Sequence, residues 1–341
     1  MSASAGSLPR YIIQRVLLVI PMMWILMTMV FLLMRVAPGD PISAALGSKL
    51  TPQAYAAAKH QAGLDKPLIA QYWEYLSSLV HLDFGTTFTD NQPVVDVVRD
   101  NGGATASLVL AAFVVALVIG IPLGLLAGRL RDTVPDVVVR IFAIITYAAP
   151  IFFVGLLLQI YLAPRLGLPT GGQASPETLF VVPEHTHILL IDSFLSGDAA
   201  SIADVLKHIA LPALTLGVGI SGIFIRLVRV NILQTVQSDY VEAAQARGIS
   251  RRKVMRNHAF RNALVPVITV IGLQVALLLS GAVLTETTFN WPGLGQKLVK
   301  YISGRDYGAV QGIITMFALV VVLVSVLIDV VNALIDPRVR F

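Results

Sequence analysis

The chain of 341 residues is too apolar for a water-soluble fold, since 56% of its residues are hydrophobic and 13% are charged. Soluble domains carry about 25% charged residues. The chain has no cysteine, which excludes disulfide and thiol chemistry within it. Its net charge of +5 forms no basic patch on a soluble fold, so nucleic acid is not indicated as a partner. Composition predicts a protein of the lipid bilayer.

Six stretches free of Asp, Glu, Lys and Arg approach or exceed the length of about 20 residues that a bilayer-crossing helix needs. They cover residues 16–34, 101–128, 141–164, 208–225, 262–285 and 307–328. The first is longer than a signal-peptide core and has no small-x-small cleavage site before Arg35, so we expect it to be retained. The prediction is an all-α membrane protein with six transmembrane helices.

The basic residues between these stretches predict the orientation. Segments 1–15, 129–140, 226–261 and 329–341 carry 15 Lys and Arg in 76 residues, and the alternate segments carry 10 in 130 residues. Because cytoplasmic loops are enriched in Lys and Arg, we expect both termini in the cytoplasm.

Three regions follow from this layout. Residues 1–35 form the N-terminal cytoplasmic end and the first transmembrane helix, residues 36–100 form a large extracytoplasmic region, and residues 101–341 form the remaining transmembrane domain. Region 36–100 holds helix-like patches at 52–62 and 68–82, and the second patch has an apolar face that needs cover. We therefore expect a folded cap after the first helix rather than a linker.

A basic, alanine-rich loop at residues 239–266 lies between two of the apolar stretches. Asp239 fits an N-cap with Glu242 three positions on, and Gly248 fits a left-handed residue after the helix end. This pattern predicts a helix over 240–247, and Ser250 as the cap of a second helix over 251–258. Helices this short need a partner surface for stability. A solvated loop obeying the positive-inside rule is the alternative for its charges.

The ordered motifs of this loop are Glu242-Ala243-Ala244, then Gly248, then HAFRNALVP at 258–266. They resemble the EAA loop of ABC-importer permeases in the dipeptide/oligopeptide/nickel subfamily. Similar motifs cover nearly the whole chain: RVAPGDP at 35–41, GLDKP at 63–67, QYWEYL at 71–76, PVVDVV at 93–98, LGLPTGG at 166–172, HIALPALTLG at 208–217, ETTFNWPGLG at 286–295, RDYGAVQG at 305–312 and DPRVRF at 336–341. The loop lacks the Ile-x-Leu-Pro end of the general EAA pattern. That departure is itself the form found in the peptide/nickel subfamily.

The resemblance implies a type I ABC importer permease of the inner membrane that translocates di- or oligopeptides. It implies four kinds of partner: a second homologous permease, two ABC ATPase domains, an extracytoplasmic substrate-binding protein and the lipid bilayer. The residues it assigns to ATPase coupling are Asp239, Tyr240, Glu242, Ala243, Ala244, Gly248, His258, Arg261, Asn262 and Pro266. A nickel or other small-ligand importer of the same subfamily remains open. A stand-alone secondary transporter or channel would predict inverted repeats and ionisable residues at mid-membrane.

The chain has no GxxxxGK[ST] phosphate loop, so we expect it to be a non-catalytic subunit that binds no cofactor. ATP and Mg²⁺ are then expected on the partner ATPase subunits. His185 and His187 have the spacing of some metal sites but no acidic or Cys set that would complete one, so no metal site is predicted.

Polar residues inside apolar stretches are costly in lipid and face a cavity or a helix partner. The candidates for a substrate path are Thr146, Tyr147, Gln159, Thr269, Gln274, Ser280 and Thr285. Hydrogen bonding between helices, or contact with a second permease subunit, explains each residue at least as well. We expect Pro150 and Pro266 to act as kinks. Trp291 is expected in the outer aromatic belt.

Overall fold

The computed structural model describes residues 8–36, 42, 51–61, 63–249 and 260–335. Within these ranges the chain is helical, apart from turns and one isolated β-bridge between Thr86 and Pro93. The all-α prediction is confirmed for them. The helices are α1 Leu8–Val36, α2 Pro52–Gln61, α3 Leu68–Val80, α4 Val94–Arg129, α5 Val134–Ala148, α6 Ile151–Leu157, a π-helical segment Leu158–Leu162, α7 Ala163–Leu166, α8 Pro176–Val181, α9 Leu189–Ser196, α10 Ala199–Val236, α11 Asp239–Ala246, α12 Phe260–Thr288, α13 Leu294–Ser303 and α14 Tyr307–Ile335.

Four described helices have segments long and apolar enough to cross a bilayer: Leu17–Val36, Val94–Arg129, Ala199–Val236 and Tyr307–Ile328. The bent pair of α5 with Ile151–Leu166 makes a fifth when it is taken as one span. Helix α12 is 29 residues long and contains the stretch predicted as another span, 262–285. The positions of the predicted spans therefore coincide with helices, and the count of six stays a prediction.

The predicted span 141–164 is broken rather than straight. Its two halves, Val134–Ala148 and Ile151–Leu166, meet at 107°. Pro150 has no N–H to continue the ladder of α5, and the residue before a proline avoids the helical region, so Ala149 is extended. The kink expected at Pro150 is a full break. Pro266, in contrast, lies within the continuous backbone of α12.

The chain divides into two compact units, and the first comprises Met1–Ala104 with Pro292–Phe341. Its helix α1 packs along α14. Apolar side chains from α4, α13 and α14 share one buried core: Val94, Val97, Leu298, Tyr301, Ala309, Val310 and Ile313. The cover expected for the second patch of region 36–100 is only partial: α3 packs on α1 within this unit, but Trp73 stays 63% exposed.

A buried carboxylate ties a loop to α14 in the first unit. Asp306 is fully buried and caps α14, since its Oδ1 accepts a hydrogen bond from the backbone N–H of Ala309 at 3.0 Å. Its Oδ2 accepts a second bond from the backbone N–H of Thr89 at 2.8 Å. The loop between α3 and α4 is therefore held at the start of α14.

The second unit comprises Thr105–Trp291, and α10 is its central helix, packed against both α5 and α12. Three glycines spaced four residues apart on α4 let α10 approach closely. A Cβ added to each would lie 2.5 to 2.8 Å from a side-chain atom of α10: Gly120 against Phe224, Gly124 against Val228 and Gly128 against Ile232. No larger residue fits there without moving a helix.

Trp291 is fully buried, so its predicted place in the outer aromatic belt is wrong. Helix α12 ends at Thr288, and the chain folds back so that the N–H of Trp291 donates to the carbonyl of Glu286 at 2.8 Å. This turn carries the indole into the protein instead of outward to the membrane interface.

Candidate functional site

The first of the two helices predicted in loop 239–266 is present, with a shift of one residue. Helix α11 begins at Asp239, so Asp239 is its first residue rather than its N-cap, and the helix ends at Ala246. Gly248 follows with φ of +78°, in the left-handed region. A β-carbon there raises the backbone energy, and glycine avoids that cost.

Helix α11 has one buried and one exposed face. Val241 is buried and packs against Ile249, which follows the turn at Gly248. Asp239, Ala243 and Ala246 are exposed and lie at positions i, i+4 and i+7, on one side of the helix. Two of these three exposed residues are alanines, whose short side chains allow another backbone to approach.

The remaining coupling residues are placed with less detail. Tyr240, Glu242 and Ala244 lie on α11. Arg261, Asn262 and Pro266 lie in the first two turns of α12. His258 and the predicted second helix 251–258 lie outside the described residues.

Helix α11 is joined directly to the long helix α10. Helix α10 ends at Val236, and two residues separate it from α11. Ser238 bridges the junction: its Oγ donates to the carbonyl of Thr235, and its own carbonyl accepts from the N–H of Val241 at 2.9 Å. The end of α10 and the start of α11 are therefore joined by a short hydrogen-bonded turn.

An ion pair links α10 to α5 two turns before that end. Nε and Nη2 of Arg229 donate to the two carboxylate oxygens of Asp136 at 2.7 and 2.9 Å. Asp136 is fully buried, accepts a further bond from the backbone N–H of Asp132 at 3.1 Å, and has Arg140 at 3.6 Å. The two-point geometry fixes both the distance and the orientation between the helices.

Sequence reasoning missed this pair, although a signal for it existed. Asp136 is an acidic residue next to Pro135, five residues before the predicted span 141–164. Such a carboxylate requires a basic partner once it is buried. The partner, Arg229, is 93 residues away in the chain, and only the fold shows it.

The predicted substrate-path residues occupy different environments. Thr146 and Thr285 are buried, and their hydroxyls donate hydrogen bonds to backbone carbonyls of their own helices, Ala143 O at 3.2 Å and Gly281 O at 3.1 Å. Tyr147 and Ser280 are exposed. For Thr269 only its place on α12 is described.

Gln159 has a structural role at the π-helical segment. Its Nε2 donates to the carbonyls of Thr170 at 2.8 Å and Thr288 at 3.1 Å. It thereby joins the loop after α7 to the end of α12. The N–H of Gly172, bonded to Phe289 O at 3.0 Å, reinforces this junction.

Gln274 is the candidate with an unfilled hydrogen-bonding capacity. It is 2% exposed, and its Oε1 is one of two buried side-chain atoms without a partner in the described part of the chain, with Asn231 Nδ2. An unpaired buried carbonyl costs about 1–3 kcal/mol. Gln274 is therefore the path residue best suited to gain a bond in another conformation.

Another buried carboxylate, missed by sequence reasoning, lies near the end of α12. Glu286 is fully buried, and its Oε1 accepts a hydrogen bond from Thr105 Oγ1 at 2.6 Å.

His187, one of the two histidines weighed as metal ligands, is exposed and pairs through Nδ1 with Glu184 at 2.7 Å. In the described ranges no three His, Cys, Asp or Glu residues are grouped to hold a metal ion.

Long apolar helices and a short amphipathic helix in a basic loop define a multi-pass helical membrane protein. Residues 120–341 match the family described as "Binding-protein-dependent transport system inner membrane component", and residues 8–109 match "Binding-prot-dependent transport system membrane comp, N-term". The chain belongs to this family of inner-membrane transport components.

Similar proteins match the chain from end to end. The di/tripeptide transport system permease protein DppB of Pseudomonas aeruginosa is 38% identical over 97% of this chain and 98% of its own length. The dipeptide permease DppB of Haemophilus influenzae is also 38% identical, over 97% and 99%. The glutathione transport system permease protein GsiC of Escherichia coli K12 is 33% identical over 97% and 99%.

Proposed function

We propose that this chain is the membrane-spanning permease subunit of an ATP-driven ABC importer that carries di- and oligopeptides across the cytoplasmic membrane. The observation that carries the proposal is the alignment, over 97% of this chain, with permeases named for dipeptide and di/tripeptide transport. Glutathione, the named substrate of a third relative, is itself a tripeptide. The shared chemistry is a short peptide with a charged amine and a charged carboxylate.

The proposed assembly contains a second homologous permease, two ABC ATPase domains and an extracytoplasmic binding protein. This chain crosses the membrane six times with both termini in the cytoplasm, and the extracytoplasmic region 36–100 follows the first span. The asymmetry of Lys and Arg between alternate segments supports that orientation. ATP and Mg²⁺ are bound by the ATPase subunits, and this chain contributes no hydrolytic group.

The ATPase docks on loop 239–266. The exposed face of α11 at Asp239 and Ala243 is small enough for close approach, and the turn at Gly248 sets the direction in which the chain leaves it. The family resemblance assigns the acidic contact to Glu242. Residues 258–266 complete the interface.

Movement passes from α11 to the spans through α10. The two-residue junction after Val236 couples α11 to α10, and the Arg229–Asp136 pair couples α10 to α5. Closure of the ATPase then shifts α5 and α10 together, and the route opens alternately on each side. Gln274, with its unpaired Oε1, exchanges hydrogen bonds as that route rearranges.

Uptake by cells tests the substrate class. A strain lacking this chain but retaining its partners should take up a labelled dipeptide only when the chain is restored. Labelled nickel uptake should not change between the two strains. Restored nickel uptake without peptide uptake would support the small-ligand importer of the same subfamily instead.

Cysteine labelling tests the topology, and the natural absence of cysteine supplies the background. Single cysteines at Lys59, Glu184 and Lys300 should react with an impermeant reagent from outside. Cysteines at Asp132 and Arg251 should react only after the membrane is opened. Outside labelling at Asp132 would overturn the orientation.

A further inference from the structure

Helix α3 binds α1 and α14 through one of its faces. Tyr72 Oη lies 2.7 Å from Thr28 Oγ1, and its ring packs edge-on against Phe31, with centroids 5.3 Å apart. The ring of Tyr75 stacks on the same Phe31 at 5.7 Å, and its hydroxyl lies 3.0 Å from Thr315 Oγ1. Helix α3 is therefore seated on two membrane-crossing helices.

The contacts place α3 at the depth of the apolar layer. Phe31 lies five residues before the end of the apolar segment Leu17–Val36, about 8 Å along the helix at 1.5 Å per residue. Thr315 lies eight residues after the start of the segment Tyr307–Ile328, about 12 Å along α14. Both contact points lie within the apolar lengths of the two helices rather than beyond their ends.

One side of α3 points toward the end of α1 and the other toward the membrane interior. Gln71 Oε1 accepts from Nε of Arg35, one residue before the end of α1, at 2.8 Å. An arginine at a helix end places its charged group in the headgroup layer. Tyr72, on the adjacent side of α3, reaches Thr28, about 10 Å deeper along α1.

The residues of α3 that are not buried sort by the same direction. Ile69, Trp73, Leu76 and Val80 are spaced i, i+4, i+7 and i+11, and form an apolar stripe beside Tyr72, in which Leu76 is half-buried and the other three are exposed. Trp73 is 63% exposed and Val80 is 82% exposed. The polar residues Glu74 and Ser78, three and seven residues after Gln71, lie on the Gln71 side. The apolar stripe and these polar residues are therefore on different sides of α3, and exposed Leu68 is an apolar exception on the Gln71 side.

The adjoining face of α1 carries an apolar groove of about 380 Å³, lined by residues that include Trp24, Thr28, Leu32 and Val36. Thr28 belongs both to this groove and to the contact with Tyr72. The stripe on α3 and the groove on α1 are therefore neighbouring apolar surfaces at the same depth.

We propose that α3 is a helix embedded in the membrane interface, whose stripe of Ile69, Trp73, Leu76 and Val80 binds the acyl chains of lipids in the leaflet where α1 ends. Assigning that leaflet to the outer side rests on the topology proposed above. The partner is lipid because the stripe lies at the depth of the hydrocarbon, carries no charge and includes a tryptophan, the residue enriched at membrane interfaces. Region 36–100 is then partly a membrane element.

Nitroxide scanning of the full chain in the assembled transporter, reconstituted in liposomes, tests this proposal. Single cysteines replace Ile69, Trp73, Val80 and Glu74 one at a time, and collision rates are measured with oxygen and with a water-soluble nickel chelate. Labels at 69, 73 and 80 should collide faster with oxygen, and the label at 74 faster with the chelate. Val118, exposed on α4, serves as the lipid reference, and Asp198 serves as the water reference.

Two outcomes overturn the proposal. Chelate rates at 69, 73 and 80 equal to that at Asp198 would show that the stripe faces water. Low rates with both reagents at these positions would show that a protein partner covers it. The measurement uses no transport activity, so failure of the peptide-importer proposal would leave its result unchanged. If the single-cysteine variants do not assemble, the variant Trp73→Phe is used instead, and the quenching of tryptophan emission by brominated lipid is measured. The proposal requires less quenching in Trp73→Phe than in the native protein. Unchanged quenching overturns it.

Discussion

Arg229 of α10 donates two hydrogen bonds to the carboxylate of Asp136 on α5, at 2.7 and 2.9 Å. Asp136 is fully buried, and the Arg229 side chain is 17% exposed. Burial makes each charge depend on the other, since a lone ion in that place would be unsolvated. This contact is the specific polar link between the helix that leads into α11 and the broken helix pair that begins with α5.

Asp136→Asn should destabilise the protein by about 3–5 kcal/mol, because it leaves the Arg229 charge without its partner. Peptide uptake should fall more than ATP hydrolysis, since α5 no longer follows α10. Thermal unfolding and the ratio of uptake to hydrolysis are the measurements. Asp132→Asn, in an exposed pair with Arg131, is the control and should change neither. Normal melting and uptake of Asp136→Asn would contradict the transmission role.

Gly248→Val should uncouple the loop while the spans still insert. No heavy atom lies within 4 Å of a Cβ added to Gly248, so the effect comes from its φ of +78°. That conformation costs an L-residue about 1–2 kcal/mol. Gly248→Asn should retain most activity, because asparagine tolerates left-handed backbone. Uptake, ATPase activity and co-purification of the ATPase are compared at matched expression.

Gly197→Val is the matched control for that loop. Gly197 also has a positive φ, of +69°, and open space around its added Cβ, but it ends α9 in a segment expected outside. The variant should lose similar stability with uptake and hydrolysis still coupled. Equal uncoupling by both valines would show that general strain, and not the position of loop 239–266, causes the loss.

The contact between α4 and α10 predicts opposite effects of one substitution at two sites on α4. Gly124→Ala places a Cβ 2.7 Å from Val228 Cβ and 2.8 Å from Ile225 O, so overpacking should cost about 1–3 kcal/mol. Gly102→Ala meets no atom closer than 3.7 Å, and should stabilise the helix by up to about 1 kcal/mol. Thermal unfolding of the two variants separates these cases. A melting temperature of Gly124→Ala equal to or above that of Gly102→Ala would refute the close approach of α4 and α10.

A pH dependence follows from Asp90, outside the spans. The hydrogen bond from Lys300 holds the pKa of Asp90 below its ordinary value, and Tyr301 Oη donates to the same carboxylate at 2.9 Å. Burial, followed by the bond to Asp90, raises the pKa of Tyr301. Since the folded pKa of Asp90 is lower than the unfolded one, its stabilisation is complete above about pH 4 and disappears as the pH falls through the folded value.

Asp90→Asn should therefore melt below the native protein at pH 7, and the difference should shrink as the pH falls below about 4. The difference at pH 7 should be modest, about 1 kcal/mol or less, because Lys300 is half exposed. Asp100→Asn, which loses a long contact with exposed Arg99, is the control. A melting difference that persists unchanged in acid would show that the Asp90 charge is not its cause.

Local chemistry made part of the fold predictable. Runs of apolar residues located the long helices, and the left-handed turn at Gly248 followed from the pattern of α11. The break at Pro150 was underestimated, because a proline specifies where a helix is interrupted and packing sets the angle. The burial of Trp291 and the pairing of Asp136 with Arg229 depend on residues distant in sequence, which no local pattern specifies. The interface of loop 239–266 and the substrate path stay predictions from sequence.

The most direct test of the central claim is uptake of a labelled dipeptide into liposomes. Liposomes holding this chain with its second permease, its ATPases and its binding protein should accumulate the peptide only with ATP. Liposomes holding this chain alone should neither hydrolyse ATP nor accumulate peptide under an imposed proton or sodium gradient. Gradient-driven accumulation by the chain alone would contradict the account and establish a secondary transporter.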